Sequence, residues 1–249
     1  MAERRRLLID SRRLQCADDS RRFALEEDET RYLRKVLRLR QGDQVDVIDG
    51  CGHLWMARLL DGHHLELCTE IQVPSQSVLA PRPQLGLAIA LIRRGMDDVM
   101  RMTCELGVDR LQPLQAQRCV PQAEHRPERW GSILREALEQ CERLWAPELP
   151  GVCAAADWWQ TPEHSDLRLL VVSREPAVPR LSDLLAARSS AHQSIWLAIG
   201  PEGGWTDQEL AAARAAGWVS VSLGDTILRS STAAVAGATM LNNWRTLSG

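Results

Sequence analysis

With 249 residues, 45% hydrophobic and 25% charged, the chain has room for one large domain or for a small domain followed by a medium one. Its one long apolar run, Leu85 to Ile92, falls far short of the roughly 20 residues that cross a bilayer, and no apolar segment follows Met1-Ala2-Glu3-Arg4-Arg5-Arg6; the expectation is a cytoplasmic protein. A formal charge of −3 argues against coating nucleic acid by bulk charge and leaves any such contact to local clusters.

Two basic clusters lie in the first forty residues. Arg4, Arg5, Arg6, Arg12 and Arg13 bracket Leu7-Leu8-Ile9, and Arg31, Arg34, Lys35, Arg38 and Arg40 follow one another with no acid among them. The second run comes after Glu26-Glu27-Asp28-Glu29-Thr30, which predicts a helix with acid at its start and base at its end, as the macrodipole favours. Such a run is either a solvated helix face or a phosphate-binding one, and the residues alone leave both open. Strands are then expected at Val45 to Ile48, Leu54 to Leu60 and Leu65 to Ile71, separated by turns at Asp49-Gly50-Cys51-Gly52 and Asp61-Gly62. Asp-Gly between apolar stretches is a strong hairpin signal, so a small antiparallel barrel is predicted. Three prolines among small and polar residues from Val73 to Pro83 mark a linker. The expected division is a first domain over 1–73, a linker over 74–84 and a second domain over 85–249.

Beyond the linker, strands near 85–92, 110–114, 167–172, 195–199 and 219–223 alternate with helices near 96–106, 127–145, 180–188, 206–216 and 232–244. That alternation predicts an α/β fold with a mainly parallel sheet. Thr206 with Glu209 reads as a capping box, and Gly217 as the residue that ends the same helix. In open parallel sheets ligands bind beyond the carboxyl ends of the strands. Three loops there are unusual: Ser173-Arg174-Glu175-Pro176, Gly200-Pro201-Glu202-Gly203-Gly204, and Gly224 to Thr232.

The glycines of the second loop let backbone amides approach a flat ligand, although an ordinary strand-to-helix turn has the same composition. Neither Gly-x-Gly-x-x-Gly nor Gly-x-x-x-x-Gly-Lys is present, which weakens dinucleotide and nucleoside-triphosphate readings. A helix over 127–145 would place Glu136, Gln140 and Arg143 on one face, where a solvated ion-paired surface is the simpler alternative. Seven scattered cysteines without a Cys-x-x-Cys pair, and six histidines (His53, His63, His64, His125, His164, His192) away from these motifs, suggest neither a disulfide framework nor a metal site. The nine tryptophans are dispersed and read as core and interface anchors.

Taken together, Ile199-Gly200-Pro201-Glu202-Gly203-Gly204, Leu223-Gly224 and Ile227-Leu228-Arg229-x-x-Thr232-Ala233 resemble the knotted SPOUT methyltransferases. Within them the chain is similar to the family that methylates N3 of a uracil in small-subunit ribosomal RNA. Val36-Leu37-Arg38-Leu39 with Gly42-Asp43, Glu105-Leu106-Gly107-Val108 and Glu136-Ala137-x-Glu139-Gln140-x-x-Arg143 extend the match over nearly the whole chain. The resemblance implies a SPOUT-type parallel sheet with a C-terminal trefoil knot, preceded by a small PUA-like β-barrel that carries RNA. It implies S-adenosylmethionine (SAM) held by Leu170, Val172, Ser173, Ile199 to Gly204, Leu223, Gly224, Ile227, Leu228 and Arg229. It further implies a homodimer, with Glu136, Gln140 and Arg143 at the interface or facing substrate, and 16S ribosomal RNA or the small subunit, in its decoding region, as partner. Arg6, Arg34, Lys35 and Arg38 are the expected RNA-binding residues.

Two positions depart from the family. Ser230 and Ser231 stand where members often carry Thr-Glu, which removes a carboxylate there, and Ile92-Arg93-Arg94-Gly95 occupies the region of a frequent lysine. Uracil N3 is a poor nucleophile until its proton leaves, so either a base or a cation that stabilises the uracil anion is needed. With no histidine in the motifs, the expected catalytic residue is Arg229. Rival readings are a SPOUT enzyme acting on another base or on a ribose hydroxyl, a silent RNA-binding protein, and a small-molecule α/β enzyme.

Overall fold

The computed structural model describes residues 5–15, 21–161, 167–173, 175–187 and 194–248. Arg4, Cys16, His164, Arg174, Arg188 and His192, all part of the readings above, lie outside the described residues. The chain divides into two compact units, Met1–Ala80 with Arg135–Ala146, and Pro81–Leu134 with Pro147–Gly249.

The first unit holds strand β1 (Arg6–Leu8), helix α1 (Ser11–Gln15), β2 (Arg22–Ala24), helix α2 (Glu27–Arg31) running into a π-helical turn (Tyr32–Val36), then β3 (Gln44–Ile48), β4 (His53–Leu59), β5 (His64–Leu67) and β6 (Gln76–Ser77). The hydrogen-bonded order is β1-β3-β4-β5-β2, with β6 beside β4. The sheet is mixed rather than wholly antiparallel, because β1 runs parallel to β3. Alternation sends Val45, Val47, Trp55, Ala57, Leu59, Leu65 and Leu67 inward onto Leu7, Ile9, Leu14, Phe23 and Leu33. The expected linker is partly strand, since β6 pairs with the start of β4. The expected third hairpin strand stops at Leu67, short of Ile71.

Residues 135–146 satisfy backbone groups of this unit that the sheet leaves open. The N–H of Leu8 donates to Glu139 (2.9 Å), Arg135 donates to the Leu8 carbonyl (3.1 Å), and the Trp145 indole donates to the carbonyl of Val78 (2.9 Å). The N–H of Gly52 donates to Leu144 and that of Ala146 to Gly50, each at 2.9 Å. The segment thereby occupies backbone groups of β1 and of the turn at residues 50–52.

The second unit contains β7 (Gln84–Ala90), α3 (Met96–Glu105), β8 (Arg110–Gln115), α4 (Pro127–Gln140), β9 (Cys153–Ala154), α5 (Ala155–Trp158), β10 (Leu167–Val171), α6 (Leu181–Ala186), β11 (Ser194–Ile199), α7 (Asp207–Ala215), β12 (Val219–Val221) and α8 (Ser230–Ser248). Its six strands are ordered β12-β10-β11-β7-β8-β9, and every pairing is parallel. β11 is buried along its whole length, as expected of a strand covered on both faces. One face of β11 meets α8, where a Cβ on Gly237 would collide with Leu197; the preceding residue, Trp196, faces the other way and fills the space that a side chain on Gly86 would need. Around Trp196 five of the tryptophans form one cluster. Trp158 lies 5.0 Å from Trp196 and 5.1 Å from Trp218, and Trp159 lies 5.2 Å from Trp205 and 5.0 Å from Trp218, between ring centroids. These residues, spread over sixty positions of sequence, thus make one core with edge-to-face contacts. Arg245 in the last turn of α8 pairs with Asp109 at 2.6 Å, and Asp109 also accepts the N–H of Leu85, so α8 is tied to the start of the sheet.

Three boundaries differ from expectation. Helix α4 ends at Gln140, because Glu142 adopts φ of 63°, a left-handed conformation that ends the helical path. The short elements β9 and α5 were not expected. Helix α8 starts at Ser230 and ends at Ser248, longer at both ends than the apolar periodicity marks.

Candidate cofactor pocket and adjoining cleft

Strands β12, β10 and β11 are neighbours, and their carboxyl ends release three loops to the same edge of the sheet. Together these loops enclose a cavity of about 480 Å³. Val172 and Ser173 come from the first loop, Ile199, Gly200, Pro201, Gly203 and Gly204 from the second, and Leu223, Gly224, Ile227 and Leu228 from the third. Eleven of the expected cofactor residues are therefore brought together. Three are not: Leu170 is buried in the sheet beneath, and Glu202 and Arg229 face a neighbouring cleft instead.

Residues that the motifs did not indicate complete the wall. Arg118, from the loop after β8, donates to the carbonyls of Gly203 and Trp205 at 3.1 Å each, so it holds the glycine loop in place. A Cβ on Gly203 would lie 3.1 Å from the Arg118 Cβ, so a side chain there is accommodated only if Arg118 shifts. Gly204, in contrast, has φ of 70° and is required for its backbone angle. On the rim, one guanidinium nitrogen of Arg180 donates to both carboxylate oxygens of Asp225, at 2.8 and 2.9 Å. The cavity thus combines apolar walls (Val172, Leu223, Leu228), backbone polar groups and rim charges of both signs. Helix α7 begins behind the second loop with the predicted capping box, the Thr206 hydroxyl accepting from the N–H of Glu209 and the Glu209 carboxylate from that of Thr206.

The second cleft, about 420 Å³, is lined by Ile92, Arg93, Arg94, Glu202, Arg229, Ser230 and Ser231. Ser230, the first residue of α8, lines both cavities. Arg229 is exposed, so its guanidinium stands at the cleft rather than inside the larger pocket.

In the first unit, Arg34, Lys35 and Arg38 are exposed. Arg34 and Lys35 lie in the π-helical turn, and Arg38 follows it with φ of 57°, so the basic run leaves the α-helix instead of closing it. Irregular turns of this kind often occur at functional sites. Arg6 does not belong with them: its side chain is 13% exposed and its guanidinium is bound to the carboxylate and carbonyl of Glu142, so it holds residues 135–146 to β1. Glu136 and Gln140 are exposed on α4, while Arg143 lies beyond its end and off the face expected for all three. Between them Glu139 is 8% exposed. Burial pushes its carboxyl up to about 7, against the opposing effect of the Leu8 N–H and Arg135. Cys51 and Cys68 are exposed, Cys104 is buried, and Cys119, Cys141 and Cys153 are half-buried. No described helix is long and apolar enough to cross a membrane.

The fold and the paired cavities define an α/β enzyme that binds its ligand at the carboxyl edge of a parallel sheet. Residues 80–242 match the model of an RNA methyltransferase domain, and residues 25–69 that of an RNA methyltransferase PUA domain. The chain is 40% identical to the ribosomal RNA small subunit methyltransferase E of Synechocystis over 85% of its own length and 69% of that protein. It is 32% identical to the Mycobacterium tuberculosis protein of the same name, over 83% and 80%. A crystal structure of ribosomal RNA small subunit methyltransferase E from Neisseria gonorrhoeae, bound to SAM, superposes with a TM-score of 0.78 at 26% identity, covering 97% of this chain and 98% of that one. The chain belongs to the ribosomal RNA small subunit methyltransferase E family.

Proposed function

We propose that the protein transfers the methyl group of SAM to N3 of one uridine in 16S ribosomal RNA. The observation that carries this reading is a pair of adjacent cavities, one walled by the three loops at the sheet edge and the other rich in arginine, with Ser230 in the wall of both. The residues of the larger cavity fit SAM. The indole N–H of Trp205, in its wall, is buried without a protein partner, and rim charges of both signs suit the zwitterionic end of an amino acid. When bound, SAM supplies an electrophilic methyl group on its sulfonium.

The protein's part is to orient the acceptor and to stabilise the charge that develops on it. Arg229, at the cleft, takes the role of cation for the uracil oxygen as the N3 proton departs to water and N3 takes the methyl group from the sulfonium. The target is unstacked so that its Watson–Crick edge reaches the donor. In this reading the C-terminal region carries a trefoil knot, the protein works as a homodimer without metal in the cytoplasm, and the PUA-like unit holds RNA through Arg34, Lys35 and Arg38. Ser230 and Ser231 supply no carboxylate, which is why a cation is preferred to a base.

The test is to incubate unmodified small subunits, or their 16S RNA, with the protein and methyl-labelled SAM, and to analyse the digested nucleosides by mass spectrometry. Label is expected in 3-methyluridine. Label in a 2′-O-methyl nucleoside or in another base sinks the N3 assignment, and no label in either substrate sinks the enzymatic reading.

A further inference from the structure

The loop that joins β7 to α3 presents an arrangement that the cofactor pocket does not use. Two carboxylates lie beside it, and both bind its backbone. Glu202 accepts the N–H of Arg93 at 2.8 Å, and Glu124 accepts the N–H of Met96 at 2.9 Å. The N–H of Glu124 in turn donates to the carbonyl of Ile92, also at 2.9 Å. Gly95, at φ of 93°, turns the chain into α3, and a Cβ there would sit 3.8 Å from that of Ser231. The loop is therefore fixed at three backbone positions and lies against the start of α8.

The guanidinium groups are left over. Arg93, Arg94 and Arg229 are exposed and line one cleft, and among the described residues no carboxylate pairs with any of them. Glu202, the cleft's one acid, is committed to a backbone amide. Helix α8, nineteen residues long, adds the positive end of its dipole at Ser230 and Ser231. Held on a rigid loop, unneutralised guanidiniums match an anion with a planar edge of oxygens, and phosphate is the anion they fit best.

We propose that Arg93 and Arg94 grip the RNA phosphodiester next to the nucleotide delivered to the cofactor pocket, and that Glu202 is a positioning residue joining this grip to the cofactor loop. The inference rests on the reading of the chain as an RNA methyltransferase. RNA carries a phosphate on each side of every base, so a base delivered past Ser230 brings one to this cleft. Because Glu202 belongs to the Gly200–Gly204 loop, that loop and the grip on RNA are linked through a single hydrogen bond.

The experiment measures 16S RNA binding over a KCl series for wild type, R93Q/R94Q, R93K/R94K, E202A and E202Q, beside SAM calorimetry and single-turnover methylation. The slope of log affinity against log salt counts phosphates, at about 0.7 to 0.9 each. R93Q/R94Q is expected to lower that slope by about 0.7 to 0.9, one phosphate, with SAM affinity unchanged, and R93K/R94K to keep it. E202A is expected to weaken RNA binding roughly 5-fold or more, with E202Q restoring it through the same amide acceptor. A wild-type slope in R93Q/R94Q, or a lost slope in R93K/R94K, overturns the phosphate grip. Equal losses in E202A and E202Q, or an E202A loss in SAM affinity alone, overturn the positioning role. Wild-type protein that binds RNA and SAM without methylating refutes the enzymatic reading separately.

Discussion

Arg229 shows how position changes the meaning of a residue. By motif it belongs with the cofactor loops, yet its side chain is exposed at the arginine cleft, one residue before the helix start shared by both cavities. A cation there stabilises an anion that forms only as the acceptor loses its proton, so its contribution is larger in the transition state than in the ground state. Arg229→Ala is therefore expected to lower the single-turnover rate by roughly 100-fold, with SAM affinity and the thermal midpoint nearly unchanged. Lysine recovers part of the rate by charge alone. A stable variant with wild-type rate excludes the role. At this scale the sequence is a guide where chemistry shows in composition: the glycines and the proline of residues 200–204 suit a ligand loop and an ordinary turn alike, and the structure puts four of the five in the wall of a cavity. The sequence is silent on Arg118 and Arg180, which reach the pocket from loops outside the three singled out and carry no local pattern. Arg6 is bound to Glu142, a partner 136 positions away that no local pattern announces.

Among the elements, the segment over 135–146 was least legible. Helical periodicity runs on past Gln140, and only the left-handed backbone of Glu142 stops it. The strand β6, two residues among prolines, and the pair β9 and α5 are too short to give a period. Within this segment Glu139 makes a testable feature of the first unit. Its carboxyl accepts the N–H of Leu8 and has Tyr32, Arg135, Glu136 and Glu29 as its charged or titratable neighbours. Because burial raises it from 4.5 to about 7, the folded unit holds a proton that the unfolded chain releases in that interval. The stability this provides is complete below about pH 4.5 and is lost as pH rises through about 7. Wild-type protein is thus expected to melt several degrees lower at pH 8 than at pH 5.5, on the order of 2 kcal/mol. Glu139→Gln, neutral at every pH and able to accept the same N–H, should remove most of that difference. An unchanged pH dependence in the glutamine variant places its cause elsewhere.

For the molecule as a whole, the puzzle is an RNA enzyme with a net charge of −3. Acids neutralise arginines that hold the structure together: Arg13 binds Glu29, Arg129 binds Asp97, Arg214 binds Glu175 and Arg245 binds Asp109. Among the described residues, other arginines have no carboxylate partner, and these include the two sets expected to meet RNA. The cleft set lies in the second unit; Arg34, Lys35 and Arg38 lie in the first, on backbone that departs from the α-helix. A long-range field is not needed for such a design, since each unpaired cation acts within about a Debye length of its phosphate. Replacing Arg34, Lys35 and Arg38 together by alanine is expected to weaken 16S RNA binding and to reduce its salt slope by about 2 to 3, depending on whether the strand contacted is single or paired. SAM affinity and the thermal midpoint should stay at wild-type values, because the three side chains are exposed and none is paired among the described residues. Single-turnover rates at saturating RNA should also survive, which separates this surface from the cleft, where substitution is expected to slow the transfer itself. If the slope is unchanged while the fold is intact, the π-helical turn presents only a solvated face, and the first unit reaches RNA by other residues.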